Sequence, residues 1–141
     1  MAINNIQYAW EDIRIAVNGV PTAHALSISY ASERAKTPLY AHGSKPIATQ
    51  HGNVAYAGGI SLLQDAYETL VRLDTERDIT RLRNNVITVV WQNKDKTLPF
   101  PIITDVLSGV EFVSWSKGIS QGDTFTTFNI PFTFLDYLSL P

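Results

Sequence analysis

Histidines are the first residues of this 141-residue chain to consider for metal or acid–base chemistry. His24 lies in a run that predicts a strand, and His42 and His51 lie in or near a segment rich in glycine and proline. A zinc site needs several converging ligands, often as an H-x-x-H or H-E-x-x-H pair or with cysteines. The sequence has neither spacing and no cysteine. We therefore expect no metal site and no cofactor, and interpret the histidines as surface or loop residues.

Nucleophilic and phosphate-binding motifs are also incomplete. Gly59-Ile60-Ser61 begins like the Gly-x-Ser-x-Gly turn of serine hydrolases, but Leu63 stands where the second glycine is needed. Neither glycine-rich phosphate-binding pattern occurs in the chain. Neighbouring carboxylates such as Glu11 and Asp12 lie in polar stretches, whereas catalytic carboxylates are buried with a perturbed pKa. We expect no catalytic residues and a protein that is not an enzyme.

Composition favours a folded protein that covers part of its surface with other subunits. Hydrophobic residues make up 45% of the chain and charged residues 17%, against about 25% charged residues in typical soluble domains. A chain with so few charged residues has less polar material than usual to cover the surface of a monomer, which favours burial of part of that surface against other subunits. The net charge is −2, and no clustered basic stretch indicates a protein that grips nucleic acid through its phosphates. No apolar run is long enough for a membrane span, and no secretory signal is expected.

The first half of the chain predicts strands followed by one helix. Residues 12–18 alternate apolar and polar side chains, and Asn18-Gly19 is a strong hairpin signal that leads into a return strand at 22–31. Residues 53–63 predict a further strand, in which Gly58-Gly59 indicates a bulge or a close backbone approach. Residues 64–73 show helical spacing of apolar residues.

The second half predicts strands at 86–92, 101–107, 109–116 and 124–134, with Pro131 favouring an edge position or a bulge. We expect the apolar tail to dock on another surface. The whole chain, 1–141, is expected to be a single domain of mainly β (α+β) class. Its predicted architecture is an antiparallel β-barrel or sandwich of two packed sheets, with one flanking α-helix and a long inter-subunit loop.

That loop is predicted at residues 32–52, which contain two prolines, two glycines and no sustained periodicity. Loops of this length are uncommon in compact domains and are usually functional or disordered. Arg34, Lys36 and Lys45 outnumber Glu33, so the segment is positive within a slightly acidic chain. Surfaces of opposite sign on one chain favour head-to-tail contacts between copies, which close into rings or extend into filaments.

Several segments of the sequence resemble bacteriophage tail tube proteins, a family related to the tubes of contractile tails, tailocins and type VI secretion. The most distinctive is Pro38–Ala48, which reads PLYAHGSKPIA. Three further segments are also similar to that family: Asn18–Pro21, the strand before the helix at Gly52–Leu62, and the closing strand Phe128–Asp136.

The resemblance implies homohexameric rings whose sheets join into a continuous inner barrel around a lumen. It also implies that the long loop reaches into the adjacent ring and stacks it. The residues expected to make these inter-ring and inter-subunit contacts are Glu33, Arg34, Lys36, Leu39, Tyr40, His42, Lys45 and Ile47. Acidic side chains facing the lumen would repel passing DNA, and the candidates are Asp105, Glu111 and Asp123.

The function implied is that of a structural virion protein, a tail tube subunit that forms the conduit for DNA ejection into the host. Its expected partners are further copies of itself, sheath, baseplate and tail terminator proteins, and DNA in transient, non-specific passage. It would be assembled in the host bacterial cytoplasm and reside in the virion tail. Two alternatives stay open: a baseplate tube initiator or tail-completion ring protein, and, from another class, a small ligand-binding β-barrel with an enclosed pocket.

Overall fold

The computed structural model describes residues 13–22, 24–72, 78–92 and 102–141. These residues form mostly antiparallel β-structure with a single α-helix, which confirms the predicted class. The elements are β1 (Ile13–Val17), β2 (Val20–Pro21), β3 (Ala25–Leu39), β4 (Ala48–Leu63), α1 (Gln64–Val71), a 3₁₀ helix (Ile79–Arg81), β5 (Asn85–Gln92), β6 (Ile102–Phe112), β7 (Ser116–Gly118), β8 (Thr127–Thr133) and β9 (Asp136–Leu140).

The strands form two sheets that share β6. The first sheet has the order β2-β1-β5-β6-β9, and the second contains β3, β4 and β8 with β7 on its far edge. The early part of β6 pairs with β5 and β9, whereas Glu111 and Phe112 pair with β8. The sheets do not close into a barrel, so the sandwich form of the prediction is confirmed.

The crossing between the sheets occurs at Gly109, which has a φ of +66°. A side chain here would be strained, and its Cβ would come within 2.9 Å of Leu135. The backbone N–H of Leu135 donates to the carbonyl of Ser108 at 3.0 Å where β8 passes into β9. The prediction of two strands at 101–107 and 109–116 was therefore wrong, because the chain continues through Gly109 as one strand.

The core lies between the sheets and under α1. Its members come from most strands and from the helix, and the largest of the fully buried side chains are Phe132, Leu62, Ile79, Ile87, Leu107 and Ile130. Tyr67 of α1 stacks on Phe128 of β8 with ring centroids 3.9 Å apart and planes 4° apart. The helix is thus held against the second sheet by its apolar face. It ends at Val71, and the predicted last residue, Leu73, lies outside the described residues.

The predicted turn at Asn18-Gly19 is confirmed, since both residues have positive φ. The predicted return strand is present from residue 25 to residue 31 as the start of β3, but its predicted hairpin pairing with residues 12–18 is wrong. β2 pairs with β1 for only two residues and ends at Pro21, and β3 begins at Ala25 and pairs with β4 in the second sheet. One further bond follows Pro21, from the Thr22 N–H to the Ile15 carbonyl at 2.8 Å.

Pro131 does not lie at an edge, contrary to the prediction, because β8 is paired on both sides. Its carbonyl accepts a hydrogen bond from Val113 N–H at 3.0 Å. In an antiparallel pair the N–H of the same residue would point to the same side. The N–H that Pro131 lacks would therefore point to the gap between the end of β6 and the start of β7, where β8 has no strand residue to bond.

The adjacent glycines of β4 give a matched test of packing. A Cβ on Gly58 would lie 2.4 Å from the Ser29 carbonyl oxygen and 2.7 Å from the Phe132 ring, whereas on Gly59 the nearest atom is 3.9 Å away. We expect Gly58→Ala to lower the free energy of unfolding by about 1–3 kcal/mol, as overpacking does. Gly59→Ala, the control, should change it by less than about 1 kcal/mol. Chemical denaturation measures both, and equal effects would contradict the packing.

Candidate assembly interface

The predicted loop at 32–52 is instead a two-stranded β-ribbon, defined here as residues 32–56. β3 and β4 stay paired from Ser32↔Tyr56 out to Leu39↔Ala48, with one irregularity between Arg34 and Lys36. Pairing of β4 with β8 begins only at Ala57. Within the described chain, the ribbon therefore consists of these two strands alone. The non-strand tip is limited to Tyr40–Ile47, and Ile47 N–H donates to the Leu39 carbonyl at 2.8 Å.

The physical reason for the wrong prediction is that the ribbon has no inner face. Residues 32–53 are all exposed in the isolated chain. A strand shows alternating hydrophobicity only where one face is buried, so these strands carry no such signal. Pro38 and Gly52 are tolerated because each lies in a two-stranded, solvated ladder rather than in the middle of a sheet.

The ribbon brings together the eight residues predicted to make contacts between copies. Four lie on β3 and four in the tip, in chain order Glu33, Arg34, Lys36, Leu39, Tyr40, His42, Lys45 and Ile47. Tyr40 and Ile47 are 57% and 63% exposed. Large apolar side chains this open to water, next to basic groups, are typical of a surface that another protein covers.

A second exposed surface lies on β9, where the predicted docking of the apolar tail is made by strand pairing with β6. Leu138 and Leu140 point away from the sandwich and stay half exposed, whereas Tyr137 and Ser139 line its interior side. Among the described residues, the other edge of β9 has no strand partner. Unpaired edges of this kind are templates for pairing with another chain.

Asp105 ties the two sheets together. It is only 6% exposed, and its carboxylate accepts hydrogen bonds from the hydroxyl of Tyr30 on β3, from Trp91 Nε1 at 3.0 Å and from the Tyr137 hydroxyl at 3.2 Å. Trp91 Nε1 also lies 2.8 Å from the Tyr30 oxygen. The network joins one strand of the second sheet to three strands of the first, β5, β6 and β9.

The three carboxylates expected to face a lumen occupy different environments. Asp105 is held inside the sandwich, Glu111 is exposed where β6 pairs with β8, and Asp123 is exposed in a turn where it accepts the Ser120 N–H at 2.8 Å. Sequence reasoning missed the Asp105 network. A signal was present, because Asp105 is the one charged residue in the mostly apolar run Ile102–Val110.

The network also sets the ionisation of Tyr30. Burial is the main cause that raises the pKa of this phenol above its usual value, and the hydrogen bond to Asp105 adds to the effect, while the contact with Trp91 opposes it. The folded protein therefore favours the neutral phenol.

Within the described residues, no group of three His, Asp or Glu side chains converges as metal ligands. His24 pairs with Asp65 at the start of α1, with both side chains more than half exposed. In the same ranges no helix has the length and apolarity to cross a membrane.

The raised pKa of Tyr30 predicts a pH dependence of stability. The stabilising contribution of the neutral phenol is complete below about pH 10, the pKa of an unfolded tyrosine, and is lost as the pH rises toward the higher folded pKa. Tyr30→Phe should remove this dependence, so wild type should lose more unfolding free energy than the variant between pH 9 and pH 11. Tyr40→Phe, at an exposed site, is the control. Parallel pH profiles for wild type and Tyr30→Phe would contradict the assignment.

A second prediction concerns the carboxylate itself. Asp105→Asn replaces an acceptor with an amide whose NH₂ faces donors, so we expect a loss of about 1–3 kcal/mol in unfolding free energy. Asp123→Asn, in the exposed turn, should cost less than about 1 kcal/mol. Urea denaturation of unassembled protein measures both, and an Asp105→Asn variant as stable as the control would show that the network is dispensable.

Comparison with known proteins rests on structure, because no family model and no curated protein sequence matches the chain. The tube-terminating cap of the anti-feeding prophage has a TM-score of 0.72 at 10% identity, covering 99% of this chain and 94% of that one. The sheath–tube complex of the extracellular contractile injection system PVC gives 0.62 at 10% identity, covering 96% and 93%. The SPP1 tail tube gives 0.60 at 10% identity, covering 94% and 78%.

These similarities span nearly the whole chain at very low identity, so they establish the fold. They also confirm, at the level of structure, the resemblance indicated by the tip and strand motifs of the sequence. The chain has the fold found in tail tube and tube-terminator proteins of phage tails and contractile injection systems.

Proposed function

We propose that this chain is a structural, non-enzymatic subunit that assembles with copies of itself into stacked rings of a tail-type tube. The observation that carries the proposal is the ribbon, a long pair of strands that is exposed throughout residues 32–53, on a fold found in tube proteins. The proposal includes six subunits in each ring, passage of DNA through the lumen and a place in a virion tail. These three points follow from the resemblance to the tail tube family.

The energetics of the ribbon support assembly. Folding residues 32–56 into two paired strands costs conformational entropy at every residue, and an isolated two-stranded hairpin is at best marginally stable in water. The ribbon buries little within its own protomer, since its residues 32–53 are exposed. Contact with another copy would supply the missing burial, through Tyr40 and Ile47 at the tip and the apolar side chains of β9 around the body.

The proposed conduit needs a lumen that does not hold DNA. Glu111 and Asp123 are exposed and can present negative charge to the phosphate backbone, whereas Asp105 is buried in its own protomer. We therefore restrict the proposed lumen-facing carboxylates to the first two. Sheath, baseplate and terminator proteins are the proposed partners of the assembled tube.

A second candidate function is that of a ring that caps or starts a tube. The specific observation in its favour is the TM-score of 0.72 with a tube-terminating cap, and of 0.66 with the PVC sheath/tube terminator. A terminator or initiator would form single rings that do not extend, whereas a tube subunit would extend by stacking.

Removing the ribbon tests the proposal. Because Lys36 pairs with His51, residues 37–50 can be replaced by Asn-Gly, which closes the hairpin on that pair and keeps the register below it. We expect a folded protein with an unfolding free energy within about 1 kcal/mol of wild type, because the removed residues are exposed. Electron microscopy should show no tubes.

The matched control is Gln121→Ala, an exposed change in the 120–123 turn, which should leave assembly intact. Tubes of wild-type length from the shortened variant would overturn the role of the ribbon.

A further inference from the structure

The Asp105 network opens onto a cavity of about 540 Å³ between the sheets. Its walls come from β3, β5, β6 and β9, and the residues that line it are Ile28, Ser29, Tyr30, Trp91, Ile103, Asp105, Tyr137 and Ser139. Three aromatic rings surround one carboxylate, with the Tyr30 ring centroid 6.4 Å from Trp91 and 6.2 Å from Tyr137. Tyr137 is 39% exposed, so the aromatic wall reaches the surface.

The carboxylate in this cavity has no cationic partner among the described residues. Its three hydrogen-bond donors are two phenols and an indole, all neutral. A carboxylate offers about four acceptor positions, so the three bonds do not exhaust it. Burial of an acidic group without a cation is costly, and aromatic faces attract cations. The cavity therefore has the chemistry of a receptor for an ammonium or guanidinium group.

We propose that this cavity is a socket for the Lys45 side chain of a second copy of the chain. The inference rests on the proposed function, because it requires the ribbon tip of one copy to reach the body of another. Arg34, Lys36 and Lys45 form no salt bridge within the described chain, and Lys45 lies in the tip, between Gly43 and Pro46. The positive tip and the negative socket are complementary.

The length of the ribbon allows this contact. Its stem on β3 spans eight residues, 32–39, which is roughly 25 Å at the rise of a β-strand. Arg34 and Lys36 lie on the stem, so Lys45 is the cation that projects furthest toward another copy. Its methylene groups would pack along the aromatic wall while its ammonium group approaches Asp105.

The first experiment compares the lysine in the tip of the ribbon with a lysine outside the ribbon. Lys45→Met removes the ammonium group while keeping a long apolar side chain, and we expect it to raise the critical concentration for assembly about tenfold. Lys45→Arg should restore assembly to within about threefold of wild type. Lys117→Met removes the same charge from β7, outside the ribbon, and should have less than a threefold effect. An equal effect of both Met variants, or none for Lys45→Met, would overturn the proposal.

The second experiment changes a residue that lines the socket. Ser139→Arg places a cation at the exposed edge of the cavity, so it should weaken assembly as Lys45→Met does. Combining the two should cost no more than either alone, because both remove one interaction. The unfolding free energy of the unassembled Ser139→Arg variant must match wild type within about 1 kcal/mol. Fully multiplicative effects of the two changes would show that the sites are independent and overturn the proposal.

A crosslinking measurement separates this inference from the proposed function. The chain has no cysteine, so Ser44→Cys, next to an unchanged Lys45, with Ser139→Cys provides a unique pair for a short bismaleimide reagent. Crosslinked oligomers are expected from the assembled double variant, and none when Gln121→Cys replaces Ser139→Cys. Tubes without this crosslink would overturn the socket alone, whereas a wild-type protein that forms no assembly would overturn the proposed function.

Discussion

The pairing of β3 with β4 is the interaction on which the rest of the structure depends. The part of this pairing near Ile60 and Leu62 lies in the core, where β4 also pairs with β8. The part formed by residues 32–56 extends from the sandwich as the ribbon, with no further described strand beside it. The same ladder therefore holds the protomer together and carries an exposed segment outward. The body fixes the direction of the ribbon, while the exposed ribbon can be stabilised further only by contact with another molecule.

The Asp105 network shows a similar coupling of stability to recognition. The carboxylate joins both sheets through Tyr30, Trp91 and Tyr137, yet its donors are neutral and its cavity is open. A hydrophobic residue would fill this space with less desolvation. Retaining an acid makes physical sense when a cation completes the site, and the ribbon supplies cations without partners in the described chain.

The sequence predicted the class and the single helix, because Gln64–Val71 and the core strands carry strong periodicity. The contact residues of the ribbon stay a prediction. The prediction from sequence failed in segments where no buried face imposes a hydrophobic pattern or where a strand changes sheets. The exposed ribbon was predicted as a loop, and the two halves of β6 were separated at Gly109, where the strand changes sheets. The Asp105 network was missed because its members are far apart in sequence, from Tyr30 to Tyr137, and meet only through tertiary packing.

Self-assembly is the central claim, and negative-stain electron microscopy of the purified protein over a concentration series tests it most directly. The account predicts rings at low concentration that stack into hollow tubes as the concentration rises. Isolated rings that never stack would favour the capping or initiating role over the tube. A uniform population of monomers at the highest concentration would contradict the account.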